Sequence, residues 1–116
     1  MNWFEAQTLM ESARDKSKGK PIANNTRLYE KNPIADEGGG LGSAGYEIRL
    51  HGNIIMEIHA AFTALYDGGW RTSTTKARLN QFGPIHVYQR DFDWFVTEWN
   101  THQPEPFVNG MVIAND

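Results

Sequence analysis

The chain has 116 residues and no cysteine, a formal net charge of −3, 40% hydrophobic residues and 22% charged residues. This composition is typical of a globular domain, and it excludes disulfide frameworks, cysteine metal sites and thiol catalysis. No apolar run approaches the roughly 20 residues of a membrane span and the first residues have no signal-peptide core, so we expect a cytoplasmic protein.

An amphipathic helix is predicted over residues 2–16, because apolar side chains recur there at the three-four spacing of one helix face. Asn2 is the expected N-cap, and Glu5 stands in the capping-box position three residues later. Gly19 and Pro21 are ordinary stop signals beyond the end of this helix.

Two loops are predicted before the clearest strands. Asn24 and Asn25 suit a turn that leads into a first strand, although the pair could equally belong to a polar recognition edge. Residues 32–45 contain five glycines, a composition that predicts a long flexible loop.

An antiparallel meander is the strongest pattern in the chain. Apolar and polar residues alternate over 46–51 and 54–59, on either side of a tight turn predicted at Gly52-Asn53. A third strand is predicted over 62–66. Neighbouring strands of this meander are expected to be antiparallel, with one face buried.

A short second helix is predicted after Gly68-Gly69. Ser73 or Thr74 is the expected N-cap, and Thr75, Leu79 and Phe82 recur at helical spacing toward the core.

Two more strands, 85–89 and 94–99, and a C-terminal extension over 100–116 follow. In that extension Asn109-Gly110 is a hairpin-turn dipeptide, and the segment could complete the sheet or dock on another subunit. The whole pattern predicts a single α+β domain over 1–116, in which both helices pack on an antiparallel sheet of five or six strands.

Basic charge is concentrated in two segments. Residues 16–29 and 68–90 each carry four Lys or Arg and no acid. The second segment contains a helix start, where exposed amides disfavour cations by roughly 0.3–1 kcal/mol each. A bound anion would remove that penalty, so the pattern favours a phosphate-bearing ligand, a nucleic acid or a nucleotide. The expected principal contacts are Arg71, Ser73, Thr74, Lys76 and Arg78, and the secondary contacts are Lys20, Asn25 and Arg27.

Other interpretations of these residues stay open. Arg71 and Lys76 could pair with acids elsewhere or extend into solvent. Tyr29, Trp70 and Tyr88 lie beside basic residues and could stack on bases, although Trp70 and Tyr88 suit a core equally well.

Patterns of catalytic and metal sites are absent from the sequence. It has no nucleophile elbow, P-loop or zinc-protease motif, and the glycine run 38–42 lacks the Lys-Ser/Thr ending of a phosphate loop. His51 and His59 are expected at opposite ends of a hairpin, beside a solvated charge ladder. Binding is therefore favoured over catalysis, with no cofactor and no metal.

A protein partner is the alternative. Trp94 and Trp99 could anchor such a partner, because Trp is frequent among the dominant residues of protein interfaces.

Three ordered motifs, KPIANNTRL at 20–28, IRLHG at 48–52 and GGWRTSTTKARLN at 68–80, resemble a family of small proteins encoded by bacteriophages and prophages. The resemblance covers about residues 16–100 and brings no catalytic residues with it. It implies a phage accessory protein in the bacterial cytoplasm. Because such proteins include inhibitors of host defence, the resemblance also implies an alternative function, inhibition of a host defence complex of the anti-CRISPR or another type by protein–protein binding.

Overall fold

A computed structural model describes residues 1–31, 45–98 and 104–114. In these ranges it contains two α-helices and nine strands, and every strand pair is antiparallel. The predicted α+β class is confirmed. The loop predicted over 32–45 lies outside the described residues, except for Gly45, which is buried in a strand.

The strands form two sheets around the helices. A six-stranded sheet has the order β1-β2-β3-β4-β5-β9, and a three-stranded sheet has the order β6-β7-β8. The helices are α1 (Trp3–Glu11) and α2 (Ser73–Phe82). The strands are β1 (Lys20–Ala23), β2 (Thr26–Lys31), β3 (Gly45–Leu50), β4 (Asn53–Ile58), β5 (Phe62–Leu65), β6 (Ile85–Arg90), β7 (Asp93–Glu98), β8 (Glu105–Pro106) and β9 (Met111–Ala114).

The prediction of a single sheet is wrong, because strands β6, β7 and β8 form a separate sheet. Asn80 of α2 gives the physical reason. Its side-chain amide donates to the carbonyl of Val87 at 2.8 Å and accepts from the Val87 N–H at 2.6 Å. These two bonds occupy outer backbone groups of the edge strand β6, so the helix takes the place that another strand would fill.

Helix α1 is shorter than predicted. The capping box is confirmed, since Glu5 N–H donates to Asn2 Oδ1 at 2.8 Å and Asn2 N–H donates to Glu5 Oε1 at 3.3 Å. The helix ends at Glu11 because the Ser12 hydroxyl and N–H both bond back to the Leu9 carbonyl, at 2.8 and 3.2 Å. A 3-10 turn over Lys16–Lys18 and strand β1, neither of which was predicted, follow.

The turn between β3 and β4 lies one residue earlier than predicted. Leu50 pairs with Asn53, so the turn is His51-Gly52. Both turn residues have positive φ, 52° and 83°, as a type I′ turn requires. A bulge near Ile48 then restores the alternation of the two strands.

Both helices and both sheets contribute to one hydrophobic cluster. Helix α1 packs on β2 and β3, and α2 packs on β4 and β6. The inward positions predicted for α2 are confirmed, since Thr75, Leu79 and Phe82 are buried. The sheets add Leu28, Ile48, Met56, Leu65, Val87 and Val96 to the same cluster.

The C-terminal strands join the two sheets. Strand β8 pairs with β7 and strand β9 pairs with β5, so the turn at Asn109-Gly110 connects two sheets instead of closing a hairpin. Asn109 Oδ1 accepts the N–H of Asp67 at 2.9 Å and ties this turn to the end of β5. Strand β9 thus completes the larger sheet at its edge.

A strained turn joins β6 to β7, and relieving it should stabilise the fold. Asp91 and Phe92 have φ of 51° and 70°, and Phe92 is 92% exposed. Left-handed backbone costs an L-residue roughly 1–2 kcal/mol. Phe92→Gly should therefore raise the free energy of unfolding in urea by about 0.5–1 kcal/mol, after the entropy that glycine adds to the unfolded chain. Phe92→Ala keeps Cβ and should gain little; equal stabilisation by both variants would contradict this account.

Candidate functional site

The five principal contacts predicted at the start of α2 do not converge in the structure. The N-cap is Thr72 and not Ser73 or Thr74, since the Thr72 hydroxyl accepts the N–H of Thr75 at 3.1 Å. Ser73 and Thr74 are exposed in the first turn. A ligand role for these two hydroxyls stays a prediction.

Arg71 is held by groups of the protein. Its Nε lies 3.5 Å from Asp67 Oδ2, and its Nη2 donates to the carbonyl of Phe107 at 3.3 Å. The guanidinium also lies 5.7 Å from the ring centroid of Trp94 and 5.3 Å from that of Phe107. Arg71 therefore has an internal carboxylate partner, which was the alternative left open by the sequence.

The other two cations of α2 contact different strands. Lys76 Nζ donates to Gln89 Oε1 of β6 at 3.4 Å. Arg78 Nε donates to Thr26 Oγ1 of β2 at 3.0 Å, and its Nη1 donates to Gln81 Oε1 at 3.2 Å. The physical reason is helix geometry, because residues two apart on a helix do not face each other.

The secondary contacts Lys20 and Arg27 do come together, in a cleft of about 370 Å³ between the end of α1 and the β1–β2 hairpin. We call this the basic cleft. Its lining is Ser12, Ala13, Arg14, Asp15, Lys18, Gly19, Lys20, Pro21 and Arg27.

The basic cleft is built by two local turns. The Asp15 carboxylate accepts the Ser17 hydroxyl at 2.6 Å and the Ser17 N–H at 3.0 Å, which bends the chain after α1. Gly19 then takes a φ of 73°. Strand β1 follows at once, with Pro21 directly opposite Arg27 in the register.

Four cations line the basic cleft, and the two whose side-chain hydrogen bonds are defined, Lys20 and Arg27, bond neutral groups. Arg27 Nη1 donates to the carbonyls of Lys18 at 3.0 Å and Gly19 at 3.4 Å, and Lys20 Nζ donates to Ser12 Oγ at 2.7 Å. Among the described residues, Arg14, Lys18, Lys20 and Arg27 form no ion pair. Their charges are therefore available to an anion.

One acid, Asp15, also lines the basic cleft. The hydrogen bond from the Ser17 hydroxyl, followed by that from the Ser17 N–H, lowers the pKa of the Asp15 carboxyl, so it is ionised at neutral pH. Both bonds point this carboxylate into its own turn. The cleft therefore contains four positive charges and one negative charge, and the negative group already accepts hydrogen bonds from Ser17.

The sequence identified half of this site. Lys20 and Arg27 were predicted, whereas Arg14 and Lys18 were missed. Lys18 stands in the acid-free segment 16–29 and could have been found there. Arg14 could not, because it was assigned to the polar face of a helix that in fact ends before it. Asn25 lies at the β1–β2 tip, where its carbonyl accepts the His51 N–H at 2.8 Å.

A second charged group lies across β2, β3 and β4. Lys31 Nζ is 2.8 Å from Glu57 Oε1, and Arg49 Nη2 is 2.8 Å from Glu47 Oε2. Glu47 is only 8% exposed, so the solvated ladder predicted here is in part enclosed. His59 Nε2 lies 3.7 Å from Glu57 Oε2.

The Lys31–Glu57 pair should make stability depend on acidification. Burial raises the pKa of Glu57, but the hydrogen bonds and charges of Lys31 and, to a smaller extent, His59 outweigh it and leave the pKa below its ordinary value. A carboxylate of this kind stabilises the fold above its unfolded pKa, about 4.3, and that contribution is lost as the pH falls through the folded-state pKa. Between about pH 6 and pH 3, Tm should therefore fall less in Glu57→Gln than in the wild type. Parallel Tm curves would contradict this.

Three aromatic side chains were predicted as possible stacking groups, and they differ in exposure. Tyr29 lies under the Arg49 guanidinium, 4.6 Å from ring centroid to Cζ. Tyr88 stacks on His86 and Phe95, with centroids 5.8 and 5.9 Å away. Trp70 is 73% exposed, so of the three it is the side chain with a free face.

The predicted protein anchor does not form an exposed pair. Trp94 is 2% exposed and packs edge-on against Phe107, with ring centroids 5.5 Å apart. It belongs to the core and presents almost no surface to a partner. Trp99 lies outside the described residues, and its role stays a prediction.

Metal-binding clusters and membrane-spanning helices are both absent from the residues that the structure describes. No group of three His, Asp or Glu side chains in them could hold a metal ion. Neither described helix has the length and apolar character needed to cross a membrane.

The model of the Kyanoviridae Gp96 protein family matches residues 5–114, and the chain therefore belongs to this family of phage proteins. The resemblance to phage-encoded proteins is confirmed. No curated protein and no solved structure matches the chain.

Proposed function

We propose that this member of the Kyanoviridae Gp96 family binds a phosphate-bearing ligand, a nucleic acid or a nucleotide, in the basic cleft, as a non-enzymatic accessory protein in the cytoplasm of the host bacterium. The observation that supports it most is the convergence of Arg14, Lys18, Lys20 and Arg27 on one concave surface. Arg presents paired donors that match phosphate oxygens, and Lys adds mobile point charges.

Charge distribution supports a localised site over a general one. The chain carries −3 overall, which disfavours nonspecific adhesion of its whole surface to nucleic acid. The basic cleft is a local exception to this negative net charge, because four cations line it and its one carboxylate, Asp15, already accepts hydrogen bonds from Ser17. Such a surface attracts an anion at the cleft while the remaining surface repels it.

Salt dependence should reveal the contacts. For single strands, log K falls with log[salt] by about 0.7 for each phosphate neutralised, so four cations predict a slope of roughly −3. The measurement is fluorescence anisotropy of a labelled 20-nucleotide DNA or RNA strand at several salt concentrations. Lys18→Ala/Lys20→Ala should weaken binding and reduce the slope by about 1–2.

A charge-matched variant serves as the control. Lys76→Ala/Arg90→Ala removes two positive charges as well, but away from the basic cleft, and it should keep most of the slope. If the control variant flattens the slope and the cleft variant does not, the helix start predicted from the sequence is the site. Binding that ignores salt and both variants would overturn the proposal. Calorimetry with ADP tests the nucleotide form.

A protein partner, such as a host defence complex, is a second candidate, and the exposed Phe92 favours it. This aromatic side chain is 92% exposed at the β6–β7 tip, between Asp91 and Asp93, and aromatic residues including Phe are enriched at protein interfaces. The two acids disfavour a nucleic-acid contact at this tip. Pull-down from host lysate that survives nuclease and is lost in Phe92→Ala would support this candidate.

A further inference from the structure

Trp70 is exposed to solvent on a backbone whose N–H and carbonyl are both hydrogen-bonded. Its N–H donates to the Asp67 carbonyl at 3.3 Å, and its carbonyl accepts from the Thr72 N–H at 3.2 Å and from Thr75 Oγ1 at 3.5 Å. The side chain above this backbone is 73% exposed. Trp is highly buried on average in folded proteins. An exposed indole on a hydrogen-bonded backbone is therefore a candidate contact surface for a ligand.

A cavity of about 260 Å³ opens beside this indole, at the tip of the β3–β4 hairpin. Its lining includes the buried Leu50 and Ile55 and the exposed His51, Asn53 and Thr74. Asp67 also lines it, but the charge of this carboxylate is paired with Arg71. Drug-sized ligands occupy roughly 300–1,000 Å³, so this cavity suits a single ring system. Apolar lining with several polar groups beside it also suits a planar heterocycle that carries donors and acceptors.

This cavity and the basic cleft flank the same hairpin tips. Thr26 of β2 pairs with the cavity residue Leu50 and is buried like it. The next residue, the cleft residue Arg27, is exposed on the opposite face of the strand, so the two places meet only around the hairpin tips. The His51 N–H bonds the carbonyl of Asn25, which joins the two tips. Strands β2 and β4 are two strand spacings apart, about 10 Å. A single short strand of nucleic acid can therefore reach both places.

Arg78 adds a positive charge to this end of the molecule. Its guanidinium bonds the Thr26 hydroxyl, and it forms no ion pair among the described residues. The charge distribution thus complements a phosphate backbone that leads from the basic cleft toward Trp70.

We infer that this cavity takes one unpaired nucleobase, which stacks on Trp70 while phosphates further along the same strand lie in the basic cleft. The inference rests on the proposed function and narrows its substrate class to single-stranded nucleic acid. Bases inside a duplex keep their faces stacked on each other and cannot enter such a cavity. An unpaired base offers its face at no such cost.

The test compares strands that differ only in their bases. A labelled dT12 strand, an abasic strand of the same length and a 12-bp duplex are titrated with wild-type protein at one low salt concentration. The wild type should bind dT12 about 10-fold more tightly than the abasic strand. Trp70→Ala should remove this difference and leave the salt slope unchanged, whereas Trp70→Phe should keep most of it. Near-UV circular dichroism checks that both variants are folded.

The outcomes separate this inference from the proposed function. If dT12 and the abasic strand bind equally tightly and with the same salt dependence, the proposed base site is wrong. The proposed phosphate site in the basic cleft is not affected by this result. Preference for the duplex also overturns the base site. Absence of salt-dependent binding to every strand overturns the proposed function itself.

Discussion

Replacing Gly19 by alanine should lower the free energy of unfolding by about 2–4 kcal/mol. Gly19 has a φ of 73°, which costs an L-residue roughly 1–2 kcal/mol. A Cβ there would also lie 2.8 Å from Cε1 of Tyr29 and 2.9 Å from the carbonyl oxygen of Leu28. Because one of these atoms belongs to the backbone of β2, strand or turn must shift, at roughly 1–3 kcal/mol more. Urea unfolding measures the loss.

Gly52→Ala separates the two causes. Gly52 has a similar φ of 83°, but no atom lies within 4 Å of the position that its Cβ would take. This variant should lose only the conformational part, about 0.5–1 kcal/mol after the entropy that alanine removes from the unfolded chain. If Gly19→Ala is no more damaging than Gly52→Ala, close packing at the floor of the basic cleft is not what fixes Gly19.

Replacing Asn80 by alanine should cost about 2–4 kcal/mol as well. The substitution removes both bonds to Val87 and leaves a partly buried N–H and carbonyl without their partners, at roughly 1–3 kcal/mol for each unsatisfied group. The higher helix propensity of alanine offsets about 0.5 kcal/mol of this. Urea unfolding gives the total, and hydrogen exchange should show selective loss of protection at the Val87 amide.

Two neighbouring substitutions test this explanation. Gln81→Ala changes an exposed side chain of the same helix and should cost less than about 0.5 kcal/mol. Asn80→Asp keeps one oxygen acceptor but places another oxygen against the Val87 carbonyl, so it should be at least as damaging as alanine. A mild effect of Asn80→Asp would show that the amide donor contributes little.

Local patterns predicted most of the regular elements. The capping box at Asn2 and Glu5, the alternation around Ile48 and Met56, and the inward face of α2 each depend on neighbours in sequence. The errors depend on contacts over longer distances. The residues near Asn80 in the sequence do not indicate that its side-chain amide bonds the outer edge of β6 at Val87, where another strand would otherwise pair. The division into two sheets could therefore not be predicted from local sequence.

The site was predicted less well than the fold, for a related reason. Arg71, Lys76 and Arg78 are close in sequence, but helix geometry directs them to different elements. Lys20 and Arg27 are further apart, and strand pairing brings them together with Lys18. Charge counted along a segment therefore pointed to region 16–29, whose cations converge in the structure, but ranked it below the helix start, whose cations do not.

The pairing of β5 with β9 also has a consequence for protein synthesis. Strand β5 pairs with β4, which precedes it closely, and on its other side Phe62 pairs with Ala114. On a translating ribosome the earlier strands can pair as they emerge, whereas that outer side of β5 waits for almost the whole remaining chain. Until then the nascent protein carries an unpaired strand edge, the kind of surface to which another unfinished chain can add.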